Sequence, residues 1–261
     1  MATGSRIEWT QATWNPVTGC TPVSAGCDHC YAATMSYRLE SMGNEAYAGL
    51  TVLNGRGARQ FNGVVKCHPQ RLHIPRAWRK PRLVFVNSMS DLFHKDVPLA
   101  FTRDVFHVMN DCPRHTFQVL TKRPEIAARY APKLQWTENI WMGTSVENAL
   151  VTPRIRDLEK IKASVRFLSL EPLLDSIPNL RISRMHWVIV GGESGAGARE
   201  IKIEWVRQIR DRCIAQDVPF FFKQWGGWNK KAAGRRLDGV IWDEFPRPGA
   251  GRATHARTAA A

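Results

Sequence analysis

Three cysteines stand close together near the start of the chain. Cys20, Cys27 and Cys30 are spaced C-x6-C-x2-C within Gly19-Cys20-Thr21-Pro22-Val23-Ser24-Ala25-Gly26-Cys27-Asp28-His29-Cys30-Tyr31. Glycine and proline make this stretch a loop, and three thiols in one loop leave three chemistries open. An iron–sulfur cluster is held by thiolates, and three of them leave one iron of a four-iron cluster free to take another ligand. Structural zinc takes four ligands, usually as two close pairs. Here there is one pair and one single thiol, with His29 or the distant Cys67 available as a fourth ligand. The third possibility is buried thiols without metal, which a loop this dense in cysteine disfavours. Cys112 and Cys213 are expected as core thiols at a helix end and on a helical face. Cys67-His68 lies in a basic segment and could join a second metal site.

Other candidate residues recur just after short apolar runs. The runs at 83–86, 116–120, 139–143, 165–170, 186–190 and 220–223 predict strands, and a strand-like piece around 14–17 precedes the thiol loop. Helices are predicted at 31–42, 98–110, 153–163 and 203–215, with another starting at 124–130, where proline suits the first turn. Near-continuous apolar strands separated by helices indicate a parallel sheet covered on both faces. About seven such units predict an α/β fold of the partial or complete (β/α) barrel kind; a doubly wound open sheet is the alternative. In a barrel the C-terminal strand ends converge on the active site. Asn87, Asp91, Lys122, Ser145, Glu147, Glu171, Glu193, Lys223 and Gln224 all follow strands, so they are expected to face one another and the thiol loop.

Composition frames these expectations. The 261 residues are 44% hydrophobic, enough for one sizeable core. The expected organisation is one barrel-like domain over 1–245, with a basic insertion at 51–82 between the first helix and second strand. A disordered basic tail is expected at 246–261. No run of about 18 apolar residues occurs, and the first ten residues hold no apolar signal core, so a cytoplasmic setting with reduced thiols is expected. Thirty-seven basic against 23 acidic residues give a net charge of +14, which points to a polyanionic partner. Between Thr51 and Ser90 there are eight basic residues, Arg56, Arg59, Lys66, Arg71, Arg76, Arg79, Lys80 and Arg82, and no acidic one. Phe61 and Trp78 interleave with them, as in a nucleic-acid-binding segment with phosphate contacts and base stacking. The competing reading is a solvated insertion whose aromatic rings pack inward.

The chain also resembles the radical S-adenosylmethionine proteins, and more closely a phage- and bacterium-encoded three-cysteine-motif family of largely unknown function. The matching stretches run in order along nearly the whole chain. They are Ile7-Glu8-Trp9-Thr10, Thr13-Trp14-Asn15-Pro16-Val17-Thr18-Gly19-Cys20, Gly26-Cys27-Asp28-His29-Cys30-Tyr31, Ser90-Asp91-Leu92-Phe93-His94 and Leu120-Thr121-Lys122-Arg123-Pro124. Then come Gly143-Thr144-Ser145-Val146-Glu147-Asn148, Ser169-Leu170-Glu171-Pro172-Leu173, Gly191-Gly192-Glu193-Ser194-Gly195, Phe222-Lys223-Gln224-Trp225-Gly226 and Leu237-Asp238-Gly239. The resemblance implies a [4Fe-4S] cluster on Cys20, Cys27 and Cys30, with S-adenosylmethionine chelating its open iron. It implies reductive cleavage to a 5′-deoxyadenosyl radical that abstracts hydrogen from substrate. It places His29 near the cofactor's adenine, and Asn87, Ser145, Glu147 and Glu171 among the cofactor-binding candidates. Two features depart from the usual pattern. The first cysteine gap is six residues instead of three, and Gly191-Gly192-Glu193 follows a late strand instead of the second.

Three functions are weighed. One is a radical S-adenosylmethionine enzyme that modifies or repairs a nucleic acid base, with Lys122, Glu193 and Lys223 as candidates to bind substrate or move protons. DNA or RNA would bind through Arg56 to Arg82, and an electron donor or other partner protein is possible. The alternative is a non-catalytic, zinc-containing nucleic-acid-binding protein. The third is a metal-dependent hydrolase using Asp91, His94, Glu147 and Glu171, for which no HExxH-type spacing exists.

Overall fold

The computed structural model describes residues 4–5, 7–55, 57–229, 232 and 234–246; the expected tail, apart from Pro246, lies outside them, as does Arg56. Seven parallel strands form one sheet: β1 (Ala12–Trp14), β2 (Leu83–Val86), β3 (Thr116–Thr121), β4 (Ile140–Ser145), β5 (Arg166–Leu170), β6 (Trp187–Gly191) and β7 (Phe220–Gln224). Their spatial order is their chain order, and β1 and β7 do not pair with each other. A doubly wound sheet reverses its order at a switch point; this one never does. The architecture is therefore an open, partial (β/α) barrel. Helices α1 (Tyr31–Ser41), α2 (Leu99–Asn110), α3 (Pro124–Tyr130), α4 (Pro153–Glu159) and α5 (Ile203–Ala215) occupy five of the six crossovers. None of the described helices is long and apolar enough to cross a membrane.

Alternating side chains divide the core in two. Val84, Val86, Phe117, Val119, Met142, Leu168, Val188 and Phe222 join the larger core, which also holds Phe101, Val105 and Met109 of α2 and Val206 and Ile209 of α5. Phe85, Trp141, Phe167, Trp187, Ile189 and Phe221 point the other way and form a second cluster with Trp9. Trp9, just before β1, lies 4.7 Å from Phe85 and 6.3 Å from Trp187 on β6, centroid to centroid. On a flat sheet β1 and β6 would be about 24 Å apart, so the sheet curls and the aromatic cluster fills its concave side. Leu120, Gly143, Phe167 and Trp187 pair across four adjacent strands. Gly143 makes room for Phe167, whose ring would stand 2.4 Å from a Cβ placed there.

Several boundaries differ from the sequence reading. The first strand is Ala12–Trp14, because Pro16 lacks an N–H and the chain bends there; Val17–Thr18 then pairs antiparallel with Lys66–Cys67. β4 runs on to Ser145. α4 stops at Glu159, and Ile161 and Ala163 are buried without being helical.

The insertion between α1 and β2 folds as an antiparallel hairpin, Thr51–Leu53 with Arg59–Phe61, followed by 3-10 turns at Pro69–Arg71 and Ile74–Ala77. Phe61 and Trp78 are buried in it. The inward-packing alternative therefore holds for both rings: Trp78 joins the larger core, and Phe61 packs under α1, where it lines a cavity at the strand ends.

Candidate active site

Parallel strands put all their C-terminal ends on one edge of the sheet. A cavity of about 380 Å³ opens there, above the aromatic cluster. Cys20, Cys27, Cys30, His29, Asn87, Lys122, Ser145, Glu171, Glu193 and Lys223 all line it. Of the candidates at strand ends and on the thiol loop only Glu147 is missing from the lining; it is completely buried, behind the thiol loop.

The thiol loop is held on every side. From the β2 connection, Asp91 accepts hydrogen bonds from Phe93 N (3.0 Å), Thr121 Oγ1 (2.7 Å), Lys122 N (3.0 Å) and Arg123 Nη1 (2.9 Å). Arg123 passes this anchorage on: its Nη2 donates to Thr21 O at 2.6 Å, and its Nη1 lies 3.7 Å from Cys20 Sγ. His94 accepts from Asp96 N at Nδ1 (3.2 Å), so its proton is on Nε2 and donates to Thr21 Oγ1 at 2.7 Å. Burial, with Arg123 nearby, lowers the His94 pKa and keeps the ring neutral. All the capacity of Asp91 and His94 is thus used in tethering, which removes them from the hydrolase reading.

From β4, Glu147 accepts from Ser24 Oγ, Gly26 N (3.2 Å) and Arg154 Nη1 (2.9 Å). Burial alone would raise its pKa, but Lys122, Arg154 and Ser24 outweigh that and hold it below the usual carboxylate range. From β6, Glu193 accepts from Arg199 Nε (2.9 Å), Arg199 N (3.0 Å) and His29 Nδ1 (3.0 Å). Burial again pushes upward, and Arg199 with His29 reverses it, so Glu193 stays ionised. Gly192 serves packing: a Cβ there would lie 1.9 Å from Trp225 O, so the loop after β6 rests directly on the loop after β7. Sequence reading missed Arg123, Arg154 and Arg199. Only Arg123 lay within a singled-out motif; Arg154 carried no local signal.

All six cysteines are free. Burial raises the Cys20 thiol to about 12, with the Asp91 charge adding to it, and burial also raises Cys30. These thiols hold their protons near neutrality until a metal displaces them. Among the described residues, no three His, Cys, Asp or Glu side chains converge on one point as a single bound ion requires. A four-iron cluster offers each thiolate its own iron, so three thiols lining one cavity suit it as a donor set. Structural zinc needs four converged ligands. Cys112 and Cys213 are buried as expected, and His68 is occupied with Thr18 Oγ1 at 2.8 Å.

The rest of the cavity is less satisfied. Asn87 is 3% exposed, and neither atom of its carboxamide has a hydrogen-bond partner. Gln224 Oε1 is also without one, and Lys122 Nζ has only the Glu147 carboxylate at 3.5 Å, without a hydrogen bond. Opposite, Glu171 Oε1 pairs with Lys223 Nζ at 3.1 Å, while Oε2 accepts from Trp9 Nε1 (3.2 Å) and Ser169 Oγ (3.1 Å). Leaving a buried polar group unpaired costs about 1–3 kcal/mol, and a bound ligand would relieve it.

The basic insertion is largely engaged internally. Lys66 donates to the carbonyls of Glu45 (3.1 Å) and Ala48 (2.8 Å), Arg71 to Asn15 O (3.1 Å), and Arg76 pairs with Asp111 at 2.7 Å. Arg59 stacks 3.5 Å over the Tyr37 ring. Arg79 and Lys80 remain exposed.

A family model described as "Protein of unknown function (DUF5131)" matches residues 4–246. No curated protein matches the sequence. Solved structures of spore photoproduct lyase resemble the fold. A mutant form gives a TM-score of 0.44 at 12% identity, covering 81% of this chain and 63% of that one. A complex with dinucleoside spore photoproduct gives 0.40 at 11% identity, covering 78% and 61%. A mutant with bound AdoMet and dinucleoside spore photoproduct gives 0.39, with the same identity and coverage. The chain thus spans about three fifths of the length of these structures. A likeness at this level assigns no activity.

Proposed function

Since the chain belongs to the DUF5131 family of proteins of unknown function, its activity must be read from its own site, and we propose that it is an iron–sulfur enzyme of the radical S-adenosylmethionine type acting on a nucleic acid base. One observation carries this reading: three thiols and the unpartnered carboxamide of Asn87 line the same cavity at the strand ends. Cys20, Cys27 and Cys30 would hold the cluster. Asn87, Ser145, Glu171 and His29 would hold the cofactor. When bound, a reduced four-iron cluster with S-adenosylmethionine supplies a 5′-deoxyadenosyl radical for hydrogen abstraction.

The remaining work falls to the chain itself. Asn87 offers a donor and an acceptor already stripped of water, so it orients a polar ligand group without reorganisation. Lys122, next to the thiol loop, favours an anionic group. The Glu171–Lys223 pair lies across the cavity, where Lys223 can donate a proton or hydrogen bond to a substrate heteroatom. The aromatic cluster below closes the cavity to water from beneath. The net charge of +14 supports a polyanionic substrate, and a base that enters the cavity must leave its stack. A zinc-stabilised binding module would leave Asn87, Lys122 and the Glu171–Lys223 pair without a role.

The test is anaerobic reconstitution with iron and sulfide, then incubation with S-adenosylmethionine and dithionite. Release of 5′-deoxyadenosine, dependent on all three cysteines, is the expected result. A reconstituted protein that carries iron yet leaves S-adenosylmethionine intact contradicts the reading.

A further inference from the structure

The six residues between Cys20 and Cys27 are not slack. Their second half leads into a 3-10 turn, Ala25–Cys27, and three consecutive residues there are gripped from strand ends β4 and β6. The Ser24 hydroxyl donates to Glu147 Oε1 and accepts from Arg154 Nη2 at 3.0 Å. Ala25 O accepts from Arg199 Nη2 at 2.9 Å. Gly26 N donates to the same Glu147 oxygen at 3.2 Å. Glycine permits the close approach: a Cβ at position 26 would lie 2.9 Å from Glu147 Oε1 and 3.0 Å from Lys122 Nζ, so those side-chain ends would have to shift. Glu147 itself has no exposed surface and does not line the cavity. Its carboxylate faces the back of the loop.

We propose that Glu147 is a positioning residue, and that the long cysteine gap is the handle by which it and Ser24 fix Cys20 relative to Cys27 before a cluster is bound. This rests on the reading of the three thiols as cluster ligands. A free loop of this length would have to be ordered when the cluster binds, at a cost in backbone conformational entropy. The Glu147 latch meets that cost during folding. Charge-assisted hydrogen bonds of this kind outweigh neutral ones, and the low dielectric behind the loop strengthens them.

The experiment compares wild type, Ser24→Ala and Ser24→Thr by hydrogen exchange of the metal-free chain and by iron retention after reconstitution. Ser24→Ala leaves Glu147 paired with Gly26, Arg154 and Lys122, so the fold survives. Backbone exchange across 21–29 should quicken about tenfold while β2 to β6 stay protected, and iron should be lost to a chelator several-fold faster. Ser24→Thr, which keeps the hydroxyl, should restore both. Unchanged exchange in Ser24→Ala overturns the latch, and so does faster exchange without faster iron loss. If wild type takes up no iron, the cluster reading fails, while the exchange measured without metal still decides whether the latch exists.

Discussion

Asp91 and Asn87 stand four residues apart after β2, and both are buried, at 4% and 3% exposure. Asp91 accepts four hydrogen bonds, two on each oxygen. Asn87 makes none with its side chain. The two residues divide the cavity between them. On the thiol side, Asp91, Arg123, Glu147, Glu193 and Arg199 are paired with one another and with the loop backbone, so that wall is scaffold. On the floor, the Asn87 carboxamide and Gln224 Oε1 are held out of water without hydrogen-bond partners, and beside the thiol loop Lys122 Nζ has only its ion pair with Glu147, so these groups are where a ligand belongs. Paired burial holds shape, and unpaired burial anticipates contact.

The comparison breaks most visibly at the thiols. Replacing Cys20, Cys27 and Cys30 together by alanine should reduce iron after reconstitution to background, read by metal analysis, while the far-ultraviolet spectrum stays native. Retained iron would place the donor set elsewhere.

Asp91→Ala comes next. It leaves Arg123 buried without its carboxylate and releases Thr21, and breaking such a pair costs about 3–5 kcal/mol. Urea denaturation checks this, and a loss below about 1 kcal/mol would remove Asp91 from the scaffold.

Acid should loosen the paired wall. The His94 pKa is lowered by burial, so its contribution to stability is complete above the ordinary histidine value of about 6.5 and is lost as pH falls through that value toward the lowered one. His68, lowered by burial to about 4, acts in the same sense. Glu147 and Glu193, held below the carboxylate range, add a further loss below about pH 4.3. Denaturation midpoints should therefore fall between pH 6.5 and 4, with a shallower slope for His94→Gln. An equal slope in that variant contradicts the assignment.

The smallest effect on stability is expected on the floor. Asn87→Leu removes no intramolecular hydrogen bond and one buried unpaired amide, so the melting temperature should hold or rise, by up to about 2 kcal/mol in stability. Calorimetric titration with S-adenosylmethionine should show at least tenfold weaker binding. A large destabilisation would mean that Asn87 belongs to the scaffold after all.

The parallel order and the meeting of strand ends were legible in the sequence because strands such as Val84–Val86 and Val188–Val190 are apolar on both faces and alternate with helical segments. The thiol loop was legible from its spacing. Three things were not. Glu147 and Glu193 both looked like free cavity residues because they follow strands, yet Glu147 lies behind the thiol loop, and Glu193, which does line the cavity, has its carboxylate engaged by Arg199 and His29; no periodicity marks Arg154 or Arg199. Phe61 and Trp78 looked like stacking residues because they sit among basic ones, and tertiary packing took both rings inward. The basic insertion looked free, but Lys66, Arg71 and Arg76 are engaged with carbonyls and Asp111. Local pattern reports which face a residue lies on, and long-range pairing decides whether its polar atoms are available.

The central claim is that the three thiols carry an iron–sulfur cluster. Its most direct test is iron, zinc and acid-labile sulfide analysis of the wild-type chain purified and reconstituted without oxygen. The account predicts about four iron and four sulfide per chain, with thiolate-to-iron absorption. One zinc per chain with neither iron nor sulfide would contradict it.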